Sequence, residues 1–316
     1  NEQIVNKGEK TTMDVRTYLE QQQVHPQLIR AVEEFRNQYP VEEKVKYRVS
    51  DPMMPFYGTE ILEMGIAALL QKENLLLSGS KATGKNVLAE NLAWIFQRPT
   101  YNISFHVNTG SGDLIGTDTF EDNQVKLRKG SIYQCAEYGG FGILDEINMA
   151  KNDAVSVLHA TLDYRRSIDV PGYDKIELHP AARFIGTMNY GYAGTKELNE
   201  ALVSRFLVIQ MPDQNEETLE KIFTTSFPEG KPEAIEQFIG LFLDLQKKAE
   251  NGEISTKALD LRGILASLRA IRQGLKPSLA VRMGVINKCF DGFEKEIVED
   301  VVMTRIPEEW TTAQVF

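Results

Sequence analysis

A glycine-rich segment that ends in a lysine is the stretch whose residue types and spacing are best suited to chemistry. It reads GSKATGKN from Gly79 to Asn86, which fits the pattern G-x-x-x-x-G-K but lacks the serine or threonine that usually follows. The backbone N–H groups of such a loop can cradle a polyphosphate at the start of the next helix, while the lysine reaches the outer phosphates. The spacing therefore predicts a phosphate-binding loop, with Lys85 as its cation, rather than a glycine-containing turn that binds nothing.

Asn86 stands where a hydroxyl group normally contacts Mg²⁺. An asparagine offers a carbonyl oxygen to a metal, but its side chain is longer and the other end of its amide is a donor. We therefore expect nucleotide binding to be retained at this loop, whereas the positioning of the metal and the rate of turnover are expected to change.

Two acids and an amide follow later apolar segments. The run Phe141–Leu144 ends in Asp145 and Glu146, and Phe184–Thr187 leads to Asn189. One carboxylate at a strand end can hold Mg²⁺ through water, and the next can polarise an attacking water. The alternative for the acids is a strand that merely ends in a polar loop, which their position downstream of a G-K loop disfavours. The amide can orient the water, although such an asparagine more often ties loops together.

The elements that must position these residues can be predicted from apolar spacing. Leu75–Leu77 indicates a short buried strand, and the apolar residues after the loop recur with helical spacing. Short strands are also predicted at Tyr101–Phe105 and Leu207–Gln210, and from Pro212 onward the pattern is that of a small helical bundle. The predicted bundle helices are Glu216–Phe223, Pro232–Lys248, Thr256–Arg272 and Ser278 to about Val302, the last with a break near Gly292.

Residues 1–50 read as a polar tail and two helices, the first capped by Asp14 and the second beginning at Pro26. Residues 107–130 are rich in glycine and polar residues, and they include a predicted hairpin of 118–120 with 125–127. A second hairpin is predicted for 167–170 with 175–179. Exposed loops on an α/β scaffold often contact partners, and a solvated insertion is the alternative for 107–130.

Length and charge bound the classes of protein. The 316 residues allow an N-terminal helical extension at 1–50, an α/β nucleotide-binding core at 51–212 and a helical lid domain at 213–316. The net charge of −10 disfavours nucleic acid as a partner. Two distant cysteines suggest a reducing compartment, and no apolar run approaches the ~20 residues of a membrane span. A cytoplasmic location is therefore expected.

The order of these parts resembles the AAA+ ATPases, and within them the MoxR-type group with its CbbQ, NorQ and GvpN relatives. The motifs that carry the resemblance are GSKATGKN, GILDEIN, DLIGTDTF with KLRKG, FIGTMN and GTKELNEALVSRF. The resemblance implies an α/β fold, namely a P-loop AAA+ module with a five-stranded parallel sheet flanked by helices and a C-terminal all-helical lid. It also implies ATP and Mg²⁺ as ligands.

The same resemblance implies catalytic roles for four residues. Asp145 corresponds to the Walker B acid that holds Mg²⁺, Glu146 to the water-activating base and Asn189 to sensor 1. Arg205 corresponds to the arginine finger, which would reach the γ-phosphate in a neighbouring subunit and stabilise charge in the transition state. Residues 165 and 166, both arginines, are candidates for a second contact of this kind.

The remaining implied contacts are with the nucleotide and its metal. For sensor 2, Lys257 and Arg262 both remain open, because the arginine that relatives place early in a lid helix has two possible counterparts here. Asn86 and Asp145 are expected to hold Mg²⁺. The residues expected to bind ATP are Gly79, Ser80, Lys81, Ala82, Thr83, Gly84, Lys85, Asn86, Val87, Lys257 and Arg262.

The function implied is ATP hydrolysis by a homo-oligomeric ring, most often a hexamer in this family, which remodels or activates a partner protein. Relatives often act with a partner that carries a von Willebrand factor A domain, and the client is left open. One alternative is a nucleic-acid motor, against which stand the acidic balance and the few basic residues of 107–130, namely Lys126, Arg128 and Lys129. Another is a nucleotide-gated scaffold that hydrolyses ATP slowly because of Asn86.

Overall fold

A computed structural model of the protein describes residues 14–106, 108–170, 172–190 and 197–316. The chain divides into two compact units, and it passes from the first to the second at Leu77 and back again after Lys85. The first unit contains the described part of Asn1–Leu77, Asn86–Met188 and Leu198–Ile209. The second contains Ser78–Lys85, the described part of Asn189–Glu197 and Gln210–Phe316.

Five strands form one sheet, and two hairpins stand apart from it. The described strands are β1 (Asn74–Gly79), β2 (Thr100–Ser104), β3 (Gly116–Glu121), β4 (Gln124–Lys129), β5 (Phe141–Asp145), β6 (Ser167–Ile168), β7 (Ile176–Glu177), β8 (Arg183–Asn189) and β9 (Phe206–Gln210). The sheet order is β2-β5-β8-β1-β9, and β5 pairs in parallel with both β2 and β8. The predicted five-stranded parallel sheet flanked by helices is therefore confirmed.

Helices connect the strands and make up the C-terminal region. The described α-helices are α1 (Val15–Gln21), α2 (Pro26–Gln38), α3 (Thr59–Leu70), α4 (Lys85–Ile95), α5 (Ser111–Leu114), α6 (Ser131–Tyr138), α7 (Asn152–Thr161), α8 (Glu200–Val203), α9 (Glu216–Ser226), α10 (Pro232–Glu250), α11 (Leu261–Arg272), α12 (Pro277–Gly284), α13 (Gly292–Arg305) and α14 (Thr312–Val315). Three-ten helices span Glu43–Arg48, Ile147–Met149 and Ile286–Lys288. Parallel strands need such crossovers because their ends lie far apart.

The central strands are buried along almost their whole length. Every residue of β5 before Asp145 is buried, and so are the first five residues of β8. This continuous burial is expected for a parallel sheet covered on both faces. The packing is tight at Gly142, where a Cβ atom would lie 2.6 Å from the Phe184 ring. The strands therefore form a rigid base for the residues at their ends.

The two N-terminal helices pack within the first unit. Asp14 caps α1 as predicted, since its carboxylate accepts the Thr17 N–H at 3.1 Å. The Tyr18 hydroxyl donates to the Phe56 carbonyl at 2.5 Å, and its ring meets Trp94 edge-on at 5.3 Å. These contacts attach α1 to the nucleotide-binding region, whereas the domain boundary at residue 50 stays a prediction.

The first predicted hairpin is longer than expected and the second is shorter. β3 and β4 pair over six residues each around a turn at Asp122 and Asn123. β6 and β7 pair over only two residues each, although strands over 167–170 and 175–179 are predicted. At the end of the first hairpin Phe120 and Val125 face each other and are 73% and 63% exposed. This end therefore presents an apolar pair to solvent.

The C-terminal helices confirm the predicted bundle but change two boundaries. A helix from Thr256 is wrong, because α11 begins only at Leu261. The backbone at Asp260 is extended, with φ −136° and ψ 94°, and its carboxylate pairs with Lys288, which holds the preceding turn away from the helix. The predicted helix from Ser278 to about Val302 is two helices, α12 and α13, since the chain turns through a three-ten helix between them.

The described part of the chain lacks two kinds of feature. None of its helices has the length and apolar character that crossing a membrane requires. Nor does the part that the structure describes contain a group of three or more histidine, cysteine or acidic side chains that could hold a metal ion. Both cysteines, Cys135 and Cys289, are buried free thiols, so neither forms a disulfide here.

Candidate nucleotide-binding site

The glycine-rich segment forms a tight loop between β1 and α4. Gly79 is the last residue of β1, and Lys85, Asn86 and Val87 form the first turn of α4. The loop between them contains two residues with positive φ, Ala82 at 67° and Gly84 at 83°. This conformation costs little for glycine and more for alanine. Strand, loop and helix thus follow one another as the motif requires.

Lys85 is held inside this loop. It is only 7% exposed, and its ammonium donates to the carbonyls of Gly79 at 3.1 Å and Ser80 at 2.6 Å. A third bond, at 3.2 Å, goes to the hydroxyl of Thr83, which is itself 2% exposed. The loop therefore wraps a buried positive charge at the N-terminus of an eleven-residue helix, which is the electrostatic setting that anions prefer.

Two carboxylates of the second unit engage the loop from outside. The Ser80 hydroxyl donates to Asp213, and the Met211 N–H donates to the Ser78 carbonyl at 2.7 Å. Burial acts to raise the pKa of Asp260, but the hydrogen bond and charge of Lys288 outweigh it, and Lys81 adds to the lowering. The net result is a pKa below the usual range for Asp260. The loop residues 80 and 81 are thus tied to ionised groups of the helical region.

The acid pair follows β5 and is held by a threonine. Asp145 ends the strand, and Glu146 adopts a left-handed conformation with φ 54° and ψ 44°. The Thr187 hydroxyl donates to Asp145 Oδ1 at 2.6 Å and accepts the Glu146 N–H at 3.3 Å. Both carboxylates are half-buried, while Thr187 is 2% exposed. One side chain of β8 therefore fixes the acid that would hold a metal and the backbone of the acid that would activate water.

Thr187 was not among the predicted site residues. A threonine within the apolar run Phe184–Thr187 reads as an ordinary β-branched strand residue. The only available signal is its polar group near the end of a strand that is otherwise fully buried, since such groups need a partner. The identity of that partner, Asp145, follows from the pairing of β5 with β8 and could not be taken from the sequence.

Asn189 ends β8 and is half-buried. Because β5, β8 and β1 are consecutive in the parallel sheet, the residues after each of them leave the sheet at the same edge. The loop after β1, the acids after β5 and the amide of Asn189 are therefore consecutive along that edge. This is the order of parts that the sequence predicts.

Arg205 lies between α8 and β9, next to a second arginine. One Arg205 nitrogen is 3.7 Å from Asp163, and another donates to the Ala201 carbonyl. Arg165 donates to the same Asp163 carboxylate at 2.7 Å, and this hydrogen bond is the main cause of the lowered pKa of Asp163. The structure thus brings Arg165 and Arg205 together. The Arg205 Nε has no hydrogen-bond partner among the described residues.

Arg166 points elsewhere. Its guanidinium donates to the carbonyls of His179 at 3.2 Å and Ala182 at 3.0 Å, and burial lowers its pKa. A side chain used in this way has little left to offer a neighbouring subunit. Of the two candidates for a second contact in trans, the structure therefore places only Arg165 beside Arg205.

The two candidates for sensor 2 occupy different kinds of structure. Lys257 is exposed in the turn before α11, whereas Arg262 is exposed in the first turn of that helix. Since the predicted role belongs to an arginine early in a lid helix, the observed start of α11 matches Arg262 in both residue type and position.

The donor set fits a nucleotide-bound Mg²⁺ better than a protein-bound ion. Asp145 and Asn86 supply oxygen atoms, which Mg²⁺ prefers, and both side chains are half-buried. No larger group of potential ligands exists in the residues that the structure describes. Magnesium sites of this kind usually combine one or two protein oxygens with phosphate and water. These residues therefore fit the ion as part of a metal–nucleotide complex.

Comparison with known proteins defines the class. A family model for the AAA domain of the dynein-related subfamily matches residues 74–206, the segment from β1 to the start of β9. The fold is similar to that of RuvB from Thermotoga maritima, with a TM-score of 0.47, 17% identity and coverage of 79% of this chain and 71% of that chain. Sheet, loop and family match together define an AAA-type P-loop ATPase fold.

Relatives by sequence place the chain within that class. It is 31% identical over 249 residues to the uncharacterized protein YojN of Bacillus subtilis, which covers 77% of this chain and 82% of YojN. It is 30% identical over 236 residues to an uncharacterized protein of Staphylococcus aureus, covering 73% of this chain and 89% of that protein. The chain therefore belongs to the family of AAA-domain proteins that includes YojN.

Proposed function

We propose that this protein is an ATPase of the MoxR type, which binds ATP with Mg²⁺ and hydrolyses it at the edge of the sheet formed by the ends of β1, β5 and β8. The observation that carries the proposal is the contact of Thr187 with both Asp145 and Glu146. A loop that only ends a strand has no need of such an arrangement. A metal-holding acid and a water-activating base do need it, because catalysis depends on groups fixed in advance.

Each residue then has a separate task. Lys85 would exchange its bonds to the loop carbonyls for bonds to phosphate oxygens, which offer a full negative charge in place of a dipole. Asp145 and Asn86 would hold Mg²⁺, which would neutralise charge on the phosphates. Glu146 would accept a proton from the attacking water, and Asn189 would orient that water. Arg262 is our choice for the residue that contacts the nucleotide from the helical region.

We further propose that the site is completed in a ring. Members of the AAA family typically assemble into rings, and an arginine from one subunit commonly stabilises charge at the next site. Arg205 suits this role because its Nε has no partner among the described residues and because Asp163 holds the guanidinium only loosely, at 3.7 Å. Arg165, bound to the same carboxylate, would support it.

The product of hydrolysis would be work on a partner protein. The hairpin of β3 and β4 ends in the exposed pair Phe120 and Val125, and such apolar groups commonly mark contacts with other proteins. Tyr173 donates to Asp118 at 2.6 Å and joins this hairpin to the segment after β6. We propose that this region contacts the client, for which a protein with a von Willebrand factor A domain is a candidate.

The deciding experiment measures ATP turnover per chain against protein concentration, with the mass in solution determined in parallel. Turnover per chain should rise as the ring assembles and reach a plateau when assembly is complete. Turnover that is already maximal in the monomer would contradict the role of Arg205 in a neighbouring site. The absence of turnover at every concentration, with ATP bound, would leave a nucleotide-binding scaffold instead.

That scaffold is the second candidate function, and one residue favours it. Asn86 replaces the hydroxyl that usually contacts Mg²⁺ in the first turn of α4. If the amide positions the metal poorly, Asn86→Ser should increase turnover several-fold while ATP affinity changes little. A slower serine variant would mean that the asparagine is an adapted ligand and that the scaffold reading has lost its support.

A further inference from the structure

A groove lies between α9 and the start of α10, within the second unit. Its volume is about 600 Å³, which is in the range of about 300–1,000 Å³ typical of ligand pockets. Its floor includes Phe227, Ile235 and Ile239, whose side chains are 2%, 4% and 6% exposed. None of the residues proposed to act on ATP lines this groove. Its use is therefore separate from the nucleotide site.

Four glutamates surround the apolar floor. Glu216 and Glu220 lie one turn apart on α9, and Glu233 and Glu236 lie in the first turns of α10. All four side chains are exposed, and none forms an ion pair within the described residues. Two carboxylates on one helix, four residues apart, repel each other. The groove thus concentrates negative charge around an apolar base.

The cations near the groove are engaged elsewhere. Lys221 on α9 donates to Glu217 at 2.7 Å, on the part of the helix that does not line the groove. Lys231, in the loop before α10, donates to the Ala313 carbonyl. Arg305 binds Asp244 at 2.7 Å, and Glu236 acts on it only through its charge. The four carboxylates are therefore not neutralised by the described part of this chain.

From this charge and shape we propose that the groove binds a segment of another protein in which lysine or arginine residues flank apolar side chains. The apolar side chains would rest on Phe227, Ile235 and Ile239, and the cations would meet the glutamates at the rim. Charge complementarity of this kind speeds association and excludes acidic partners. A nucleic acid would be repelled by the same four carboxylates. The proposal does not depend on ATP hydrolysis.

The test begins with random short peptides displayed on phage and selected on the full-length protein. The selected peptides should combine lysine or arginine with apolar residues. One of them, labelled, then serves as the probe in fluorescence anisotropy. The double change Glu220→Gln with Glu236→Gln should weaken its binding about tenfold, because each exposed ion pair contributes up to about 1 kcal/mol. High salt should weaken binding to the parent in the same direction.

Two further variants separate the groove from general charge. Glu217→Gln with Glu253→Gln removes the same number of charges outside the groove, where each acid pairs with a lysine, and should leave binding unchanged. Thr224→Lys places a cation in the groove from an exposed position of α9 and should compete with the peptide. Selection of peptides without basic residues, or equal loss of binding in both double variants, would overturn the proposal.

Discussion

The two edges of the central sheet use charged side chains in opposite ways. At the amino edge, Arg98 precedes β2 and Arg183 begins β8, and these side chains are 2% and 1% exposed. Arg98 Nε donates to the Gly139 carbonyl at 2.8 Å, just after α6, and Arg183 Nε donates to the Leu69 carbonyl at 2.5 Å, in the last turn of α3. Burial lowers the pKa of both guanidinium groups to about 10. They remain cations at neutral pH and bind the negative ends of helices.

The carboxyl edge holds its charges with far fewer contacts. Asp145 and Glu146 are half-buried, and Thr187 is the side chain that connects them. Within the described residues, no side chain pairs with the Glu146 carboxylate. The difference separates two uses of charge. Groups whose donors are all bound to the backbone support the fold, whereas groups left half-exposed and singly held are available for chemistry.

Arg205 tests this distinction because it precedes β9 at the amino edge but is not buried like Arg98 and Arg183. Arg205→Ala should lower turnover of the assembled protein by about 10³-fold, the smallest loss associated with arginine fingers. Binding of ATP to the isolated chain should not change. The control is Arg128→Ala, on the exposed strand β4. If both alanine variants turn over ATP at the parent rate, Arg205 belongs with the structural arginines.

Glu146→Gln is the corresponding test at the carboxyl edge. The amide keeps the shape of the side chain but cannot accept the proton, so turnover should fall by about 10²–10³-fold with ATP affinity retained. Isothermal titration and a phosphate-release assay measure the two quantities. Glu177→Gln, on β7, is the matched control. Turnover near the parent rate would falsify the assignment of Glu146 as the base.

Arg183→Met should act on stability instead. The change leaves the carbonyls of Leu69, Pro180 and Ala182 without their charged donor. A buried group without its partner costs about 1–3 kcal/mol, so we expect the free energy of unfolding in urea to fall by about 3 kcal/mol. Arg128→Met should change it little. A variant of parental stability would show that burial of this guanidinium offsets what its hydrogen bonds contribute.

Thr187→Val should have the smallest effect of the four changes. Valine fills the same space but loses the bonds to Asp145 and Glu146, and one such bond is worth about 1 kcal/mol. We therefore expect turnover to fall about tenfold, with ATP affinity within about twofold of the parent. Thr187→Ser keeps the hydroxyl and should restore most of the rate. Equal rates in valine and serine variants would point to packing rather than hydrogen bonding.

Much of the architecture followed from local chemistry. The apolar run before Gly79 and the helical spacing after Lys85 predicted β1 and α4, and Asp14 and Pro26 marked the starts of α1 and α2. Such signals are short-range, because caps and apolar spacing act within a few residues. The start of α11 was missed since it depends on Lys288, which is distant in sequence from Asp260.

The sequence by itself determined the loop, the order of strands and acids along the chain, and the residue types that could hold a phosphate or activate water. Only the tertiary structure decided that Thr187 holds Asp145 and Glu146, that Asp163 gathers Arg165 and Arg205, and that Arg166 is turned away. The physical reason is that a motif needs only neighbouring residues, whereas a hydrogen bond between strands depends on which strands are adjacent and in which register.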